Sequence, residues 1–329
     1  MEEEKEEVFQ DVVHGKGPQT LTDLDLSLAE FQEPNFVVPG IIPPGITILA
    51  GRPKMGKSIL AGNLGLAVAR GSKALGAVDV TQHAVLCLAL EDTQRRLKSR
   101  VSAMQGDNSP TNKIHYAFEW PRVDEGGVGK LEGWLTSHPE ARLVIIDTLG
   151  KIRSRRGSGG TSYSKDYDTV FAFKKVADQY DVAIVLVHHL RKATSDDCLD
   201  LVTGTVGLTG AADTVAVLRR ERMSSEASLF ISGRDIEETD LALHFDPSSC
   251  SWTILGQAEE YRLSKERQDI VDALKSADGP LKLSEIAMVV EKKAPVVHKH
   301  LAGLIAAGFV EQPKYGYYKL HNSPDGQSV

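Results

Sequence analysis

Four stretches of this 329-residue chain are apolar at nearly every position rather than at every second one: "GITILAG" (45–51), "HAVLCLAL" (83–90), "ARLVIIDTL" (141–149) and "VAIVLVHHL" (182–190). A strand that is apolar on both faces must be covered on both faces, which is the environment of a parallel sheet between two layers of helix. Helical patterns lie between these runs: "KSILAGNLGLAVARG" (57–71), "TQRRLKSRVSAMQG" (93–106) and "DYDTVFAFKKVADQYD" (166–181). Strands alternating with helices predict an α/β fold with a mostly parallel central sheet. Further strand candidates are "KIHYAFE", "DTVAVLRR", "SLFISGR" and "LALHFD". The last three follow one another with little helix between, which predicts antiparallel additions at one sheet edge.

The pattern changes at both ends. Residues 1–35 are charged and poor in apolar periodicity, and are expected to form an arm that is partly disordered or interface-forming, with one short helix at "LTDLDLSLAEF". The α/β domain is expected over 36–256. Beyond it, three helices ("KERQDIVDALKSA", "LSEIAMVVE", "APVVHKHLAGLIAAG") and a hairpin turned at "KYG" predict a small winged helix domain over 257–321, with a disordered tail at 322–329. The net charge of -7 is misleading, because "MEEEKEE" alone sets five Glu against one Lys; nucleic acid is therefore not excluded as a partner. Three cysteines without CxxC or Cys/His spacing argue against a disulfide framework or a zinc site. An acidic start, no apolar run near the ~20 residues of a membrane span, and this cysteine usage predict a cytoplasmic protein.

The strand "GITILAG" runs into "GRPKMGKS", which satisfies GxxxxGK[ST] and then opens a helix. Gly51 and Gly56 let the backbone curl so that the N–H groups of Arg52, Pro53's neighbours, Lys54, Met55 and Ile59 can face phosphate oxygens. The helix directs its positive end at the same anion, Lys57 reaches the outer phosphates, and the Ser58 hydroxyl is placed for Mg²⁺. These residues predict ATP and Mg²⁺ as ligands. Asp147, closing the apolar run "RLVIID", is the expected second metal residue. Glu91 and Asp92 end another strand: Glu91 either orients the attacking water as general base or, with Asp92, caps the helix beginning at Thr93.

Taken together, the phosphate loop, the acidic residue after the second strand, "VIIDT" and a strand ending in "VHHLRK" resemble the RecA-like ATPases. Within them the chain looks like the RepA type of hexameric replicative helicase of plasmids, phages and mobile elements, over residues 36–256. The resemblance implies a homo-oligomer, a hexameric ring, with sites completed across subunit boundaries. It implies that His188 or His189 senses the γ-phosphate, and that a basic residue from the neighbour acts in trans. Arg234 in "LFISGRDIEE" fits that position, with Arg219 and Arg220 as competitors. It also implies DNA-binding loops after the strands. "GKIRSRRGSGGTSYSKD" offers Arg153, Arg155 and Arg156, and the segment after the histidines offers Arg191 and Lys192. Both are poor in stacking aromatics, so contact would be to the phosphates of single-stranded DNA.

The appended winged helix departs from the RepA pattern. Residues 262–320 carry ten Lys/Arg against seven Asp/Glu, and its third helix carries His298, Lys299 and His300, with Tyr315, Tyr317 and Tyr318 on the wing. Winged helices of this kind bind duplex or forked DNA, or dock proteins. The resemblance therefore implies an ATP-dependent ring helicase or translocase acting in replication of a mobile element or phage. The rival readings are a recombination or repair mediator and an ATP-gated DNA-binding regulator.

Overall fold

The computed structural model describes residues 20, 22–29, 34–106, 109–154, 162–190, 210–277 and 279–321. The chain divides into two compact units, Met1–Phe36 and Val37–Val329. In the first, a short helix is present as α1 (Asp23–Leu28), with Leu24, Leu26 and Leu28 exposed.

The second unit opens with β1 (Gly45–Gly51), α2 (Lys57–Arg70), β2 (Ala84–Ala89), α3 (Gln94–Gln105), β3 (Ile114–Ala117), α4 (Gly127–Ser137) and β4 (Ala141–Asp147). It continues with α5 (Leu149–Ile152), α6 (Ser162–Tyr180), β5 (Ala183–His189), β6 (Thr214–Arg220), β7 (Glu226–Gly233), β8 (Thr239–Asp246) and β9 (Ser251–Gln257). Among the described residues these nine strands form one sheet in the order β3-β2-β4-β5-β1-β6-β7-β8-β9. Every pairing from β3 to β6 is parallel, and every pairing from β6 to β9 is antiparallel. This is the expected α/β core with antiparallel strands at one edge.

The strands split by alternation between two apolar layers. Val85, Cys87 and Ala89 of β2 face Leu60, Leu64 and Val68 of α2, while Leu86 and Leu88 face the layer built by Leu131 of α4 and Phe173 of α6. Burying side chains such as Leu131 and Phe173 contributes about 1.5–3 kcal/mol each. Helix α4 and strand β9 are among the elements the sequence patterns do not predict. Helix α4 contains Gly127, Gly129 and Gly133, each unfavourable in a helix by nearly 1 kcal/mol relative to alanine. Strand β9, "SWTILGQ", has little apolar alternation and is fixed by docking onto α2.

The C-terminal region contains α7 (Ala258–Lys275), β10 (Leu281–Lys282), α8 (Leu283–Val289), α9 (Ala294–Ala306), β11 (Val310–Lys314) and β12 (Tyr317–Leu320). Its three-stranded sheet, β10-β12-β11, and three helices enclose a separate apolar cluster that includes Ile270, Ile286, Leu301 and Tyr318. This is a winged helix. Helix α7 begins at Ala258, earlier than the apolar pattern from Lys265 predicts, and its first turns are held by Glu226 of β7. No helix of the described residues is long and apolar enough to cross a membrane.

Candidate nucleotide site

The carboxyl ends of β1, β2, β4 and β5 lie level with one another, since Gly51 pairs with His189, Ala89 with Asp147 and Asp147 with Val187. Ligands in open parallel sheets sit at this edge. The loop between β1 and α2, with the first turn of α2, carries Arg52, Pro53 and Lys54 exposed and Met55 and Lys57 buried, with Gly56, Ser58 and Ile59 between these extremes.

Gly56 is required twice over. Its φ of 100° is left-handed, and an added Cβ would lie 2.8 Å from the Trp252 ring. Trp252 donates its Nε1–H to the Gly56 carbonyl at 3.4 Å, so the last strand of the sheet backs the loop. Asn63 of α2 clamps β9 in place, accepting from Trp252 N at 2.8 Å and donating to the Cys250 carbonyl at 3.1 Å. Gly56 caps α2 without a side-chain hydrogen bond, leaving the N–H groups of the first turn to an incoming anion.

Lys57 is 3% exposed, and its Nζ donates to the carbonyls of Gly51 at 2.7 Å and Arg52 at 2.9 Å. Burial pushes its pKa down to about 8, against the opposing pull of Asp147 and Glu91. Asp147 is pushed up by burial, against a hydrogen bond from Ser58 that favours the charged form. Its Oδ1 is buried and has no hydrogen-bond partner. A buried, unsatisfied carboxylate oxygen beside a hydroxyl is the donor set a hard, oxygen-seeking cation requires. Ser58 and Asp147 therefore fit Mg²⁺. Among the described residues no group of three or more His, Cys, Asp or Glu is arranged for a metal. This suits an ion that takes most of its ligands from phosphates and water.

Glu91 lies beside this pair. Thr148, joined to Asp147 by a cis peptide, donates its hydroxyl to Glu91 Oε1 at 3.0 Å. His189 Nε2 is 3.6 Å from Glu91 Oε2. The helix-capping alternative for Glu91 is not what its carboxylate does: Thr93 is the N-cap of α3, accepting from Arg96 N. Asp92 accepts from Thr93 N at 3.0 Å and pairs with Arg96 and Arg100. Alternation along β5 sends His188 and His189 to opposite faces, and the geometry separates them: His189 is the one beside Glu91.

The three arginines also separate. Arg219 pairs with Asp240 and donates to Ser228 Oγ at 3.0 Å. Arg220 lies over the rings of Phe245 at 4.6 Å and Trp252 at 5.3 Å, and donates to the Ser224 carbonyl. Arg234 is 66% exposed and sits just past β7, whose Gly233 pairs with Thr214, whereas Gly51 pairs with Leu218 of the same strand. Four residues of β6 thus separate the two levels, about 13 Å of strand. Arg234 lies at the opposite end of the sheet from its own phosphate loop.

A cavity of about 1000 Å³ opens beside that loop, between Arg52 and Met55 on one side and Arg219, Arg220, Tyr261 and Arg262 on the other. Of the DNA candidates, Arg153 is exposed, with its carbonyl held by Arg122 Nη1 at 2.9 Å. Arg155, Arg156, Arg191 and Lys192 lie outside the described residues. On α9, His298 and Lys299 are exposed, but His300 is turned inward, 6% exposed and 2.8 Å from Glu266. Tyr318 belongs to the core rather than the wing surface, while Tyr315 is fully exposed. Thr148, Asn63 and Trp252 were not singled out from the sequence. Thr148 had a signal, directly following Asp147, whereas the other two needed β9 to be recognised.

Comparison with known proteins bears on the family and the fold. The AAA domain profile matches residues 16–195, and the IclR helix-turn-helix domain profile matches residues 269–314. No curated protein sequence matches the chain. Among solved structures, a DnaB-like replicative helicase studied with its interactions with primase superposes with a TM-score of 0.54 at 14% identity, covering 75% of this chain and 70% of that one. A KaiC-like protein of Pyrococcus horikoshii OT3 gives 0.45 at 12% identity, covering 68% and 95%. The fold is thus shared with that DnaB-like helicase structure, and the AAA match spans more than half of the sequence. The chain belongs to the AAA domain family.

Proposed function

We propose that this P-loop ATPase is a ring-forming motor of the RepA type, a helicase or translocase on single-stranded DNA, with each site completed by a neighbouring subunit. The observation that carries the reading is the position of Glu91, held by Thr148, flanked by His189 and next to Asp147 at the mouth of the phosphate loop. On binding ATP, Lys57 leaves the Gly51 and Arg52 carbonyls for the outer phosphates, and the backbone of residues 51–59 receives the rest. The cavity beside Arg52 and Met55 provides room for the remainder of the nucleotide. Ser58 and Asp147 would hold magnesium, which supplies charge neutralisation on the transferring phosphoryl. Glu91 takes the proton of the attacking water, and His189 follows the state of Glu91 and passes it along β5 toward the segment at 191–209. Arg234 of one subunit stabilises the transition state in the next, an effect on the order of 10³–10⁵ in rate. Lys299 and His298 on α9 face solvent as duplex or fork contacts.

The test is a forked DNA substrate with ATP. ATP-driven, directional strand displacement by the wild type, lost in Glu91→Gln while ATP binding survives, supports the motor. Strand exchange without displacement would assign the mediator role. ATP-dependent binding of one duplex sequence, with neither activity, would assign the regulator.

A further inference from the structure

The amino-terminal end of the sheet carries a buried acid that the nucleotide site does not use. Asp213, just before β6, is 6% exposed. Its Oδ2 accepts from Ile46 N at 2.8 Å and lies 2.9 Å from Lys174 Nζ of α6. Its Oδ1 is 3.9 Å from Arg234 Nη1, and its backbone carbonyl accepts from Arg234 N at 3.0 Å. Two glycines clear the space. A Cβ at Gly45 would lie 2.4 Å from Asp213 Oδ2, and one at Gly233 would lie 2.8 Å from the Asp213 carbonyl oxygen.

The charges in this corner are unequal. Lys174 is bonded closely to the carboxylate and also to Asp178 at 2.9 Å, while Arg234 is tethered at the limit of an ion pair. Among the described residues Asp213 is the one acid paired with Arg234. The backbone bond anchors Arg234 at this corner, and the long ion pair biases where its guanidinium sits while leaving its N–H groups for an anion on another molecule.

We propose that Asp213 is the positioning residue for Arg234, aiming it out of the sheet end toward the phosphoryl group bound by the adjacent subunit. The proposal rests on the trans-arginine reading above. Asn is the appropriate replacement, because its amide oxygen can still accept from Ile46 N while the charge that tethers Arg234 is gone. Asp213→Asn should lower kcat on the order of 10–100-fold, the cost of a misaimed group, with ATP affinity unchanged. On an Arg234→Ala background it should have no further effect beyond about twofold, since a residue that acts only through Arg234 has nothing left to position.

Mixed assemblies separate this from a framework role. Asp213→Asn mixed with Lys57→Ala should recover activity, because the first subunit supplies an intact phosphate loop and the second an intact, well-aimed arginine. Asp213→Asn mixed with Arg234→Ala should recover none. If the Asp213→Asn protein fails to fold, turns over at the wild-type rate, or gives no recovery with Lys57→Ala, Asp213 is part of the framework and the proposal is overturned. The control mixture of Lys57→Ala with Arg234→Ala reads the underlying assignment separately: no recovery there, with mixed assemblies shown to form, removes the trans arginine itself.

Discussion

The winged helix and the nucleotide site each hold a cluster of partly buried charge, and the two are built in opposite ways. In the winged helix, Glu266 accepts from Lys292 at 3.1 Å and lies 2.8 Å from His300 Nε2. Burial alone would raise the Glu266 pKa, but those partners outweigh it and hold the carboxyl below its ordinary value. At the nucleotide site, burial wins. Asp147 is raised despite Ser58, Lys57 is lowered to about 8, and Asp147 Oδ1 has no partner. A cluster whose members satisfy one another is architecture. A cluster whose members are each pushed toward neutrality stores an unmet electrostatic demand, which an anion and a cation arriving together would satisfy.

The largest effect should come from Lys57→Ala. Removing the ammonium should reduce kcat by at least about 10²–10³-fold, the cost of losing one preorganised group that meets transition-state charge. Stability should not fall with it, because the side chain deleted is a buried charge bonded only to carbonyls. The two readouts are ATP turnover and the thermal midpoint. A large loss of stability would instead mark Lys57 as a satisfied structural charge like Glu266.

The second effect is on pH. Lys57 in the free protein titrates at about 8 because of burial, whereas phosphate contact would return it toward the ordinary ~10.4 of lysine. Nucleotide binding then takes up a proton above pH 8, so affinity should be flat below that point and fall up to about tenfold per unit above it. The same shift acts on folding with its own sign. Between these two values the folded lysine carries fewer protons than the unfolded one, so this group's contribution to stability improves as pH rises. Affinity of a non-hydrolysable ATP analogue measured across this range checks the slope, and Lys57→Arg, which does not titrate, should abolish it.

How much of this was legible in the sequence depends on whether a contact is local. The octet from Gly51 to Ser58 declares its own geometry, and the continuous apolar runs declare the parallel strands. The partners that give the site its character come from far along the chain: Thr148 reaches Glu91 across 57 positions, and Trp252 reaches Gly56 across 196. Whether His188 or His189 stands beside Glu91 is a question of face, which alternation poses but only the packing of α2 answers. His300 misled for the complementary reason. Its place near the start of a recognition helix suggests a DNA contact, yet one helical face belongs to the core, and Glu266 on α7 draws that histidine inward.

The smallest effect is expected in the winged helix. Glu266→Gln leaves His300, itself buried, and Lys292 without their carboxylate. The expected cost is about 1–3 kcal/mol of local stability. It should appear as faster amide exchange across α9, while ATP turnover stays at the wild-type rate because every proposed catalytic group lies elsewhere. Acid gives the same contrast without mutation. A carboxyl with a lowered folded pKa stabilises fully above its unfolded value, ~4.3 for Glu, and loses that contribution only as pH falls through the lower folded value. Asp147, shifted upward, takes its proton first. On acidification, magnesium-dependent nucleotide binding should therefore fail at a higher pH than the one at which α9 loosens. If α9 opened first, Glu266 would not be the satisfied partner its contacts describe, and the two clusters would have to be ranked the other way.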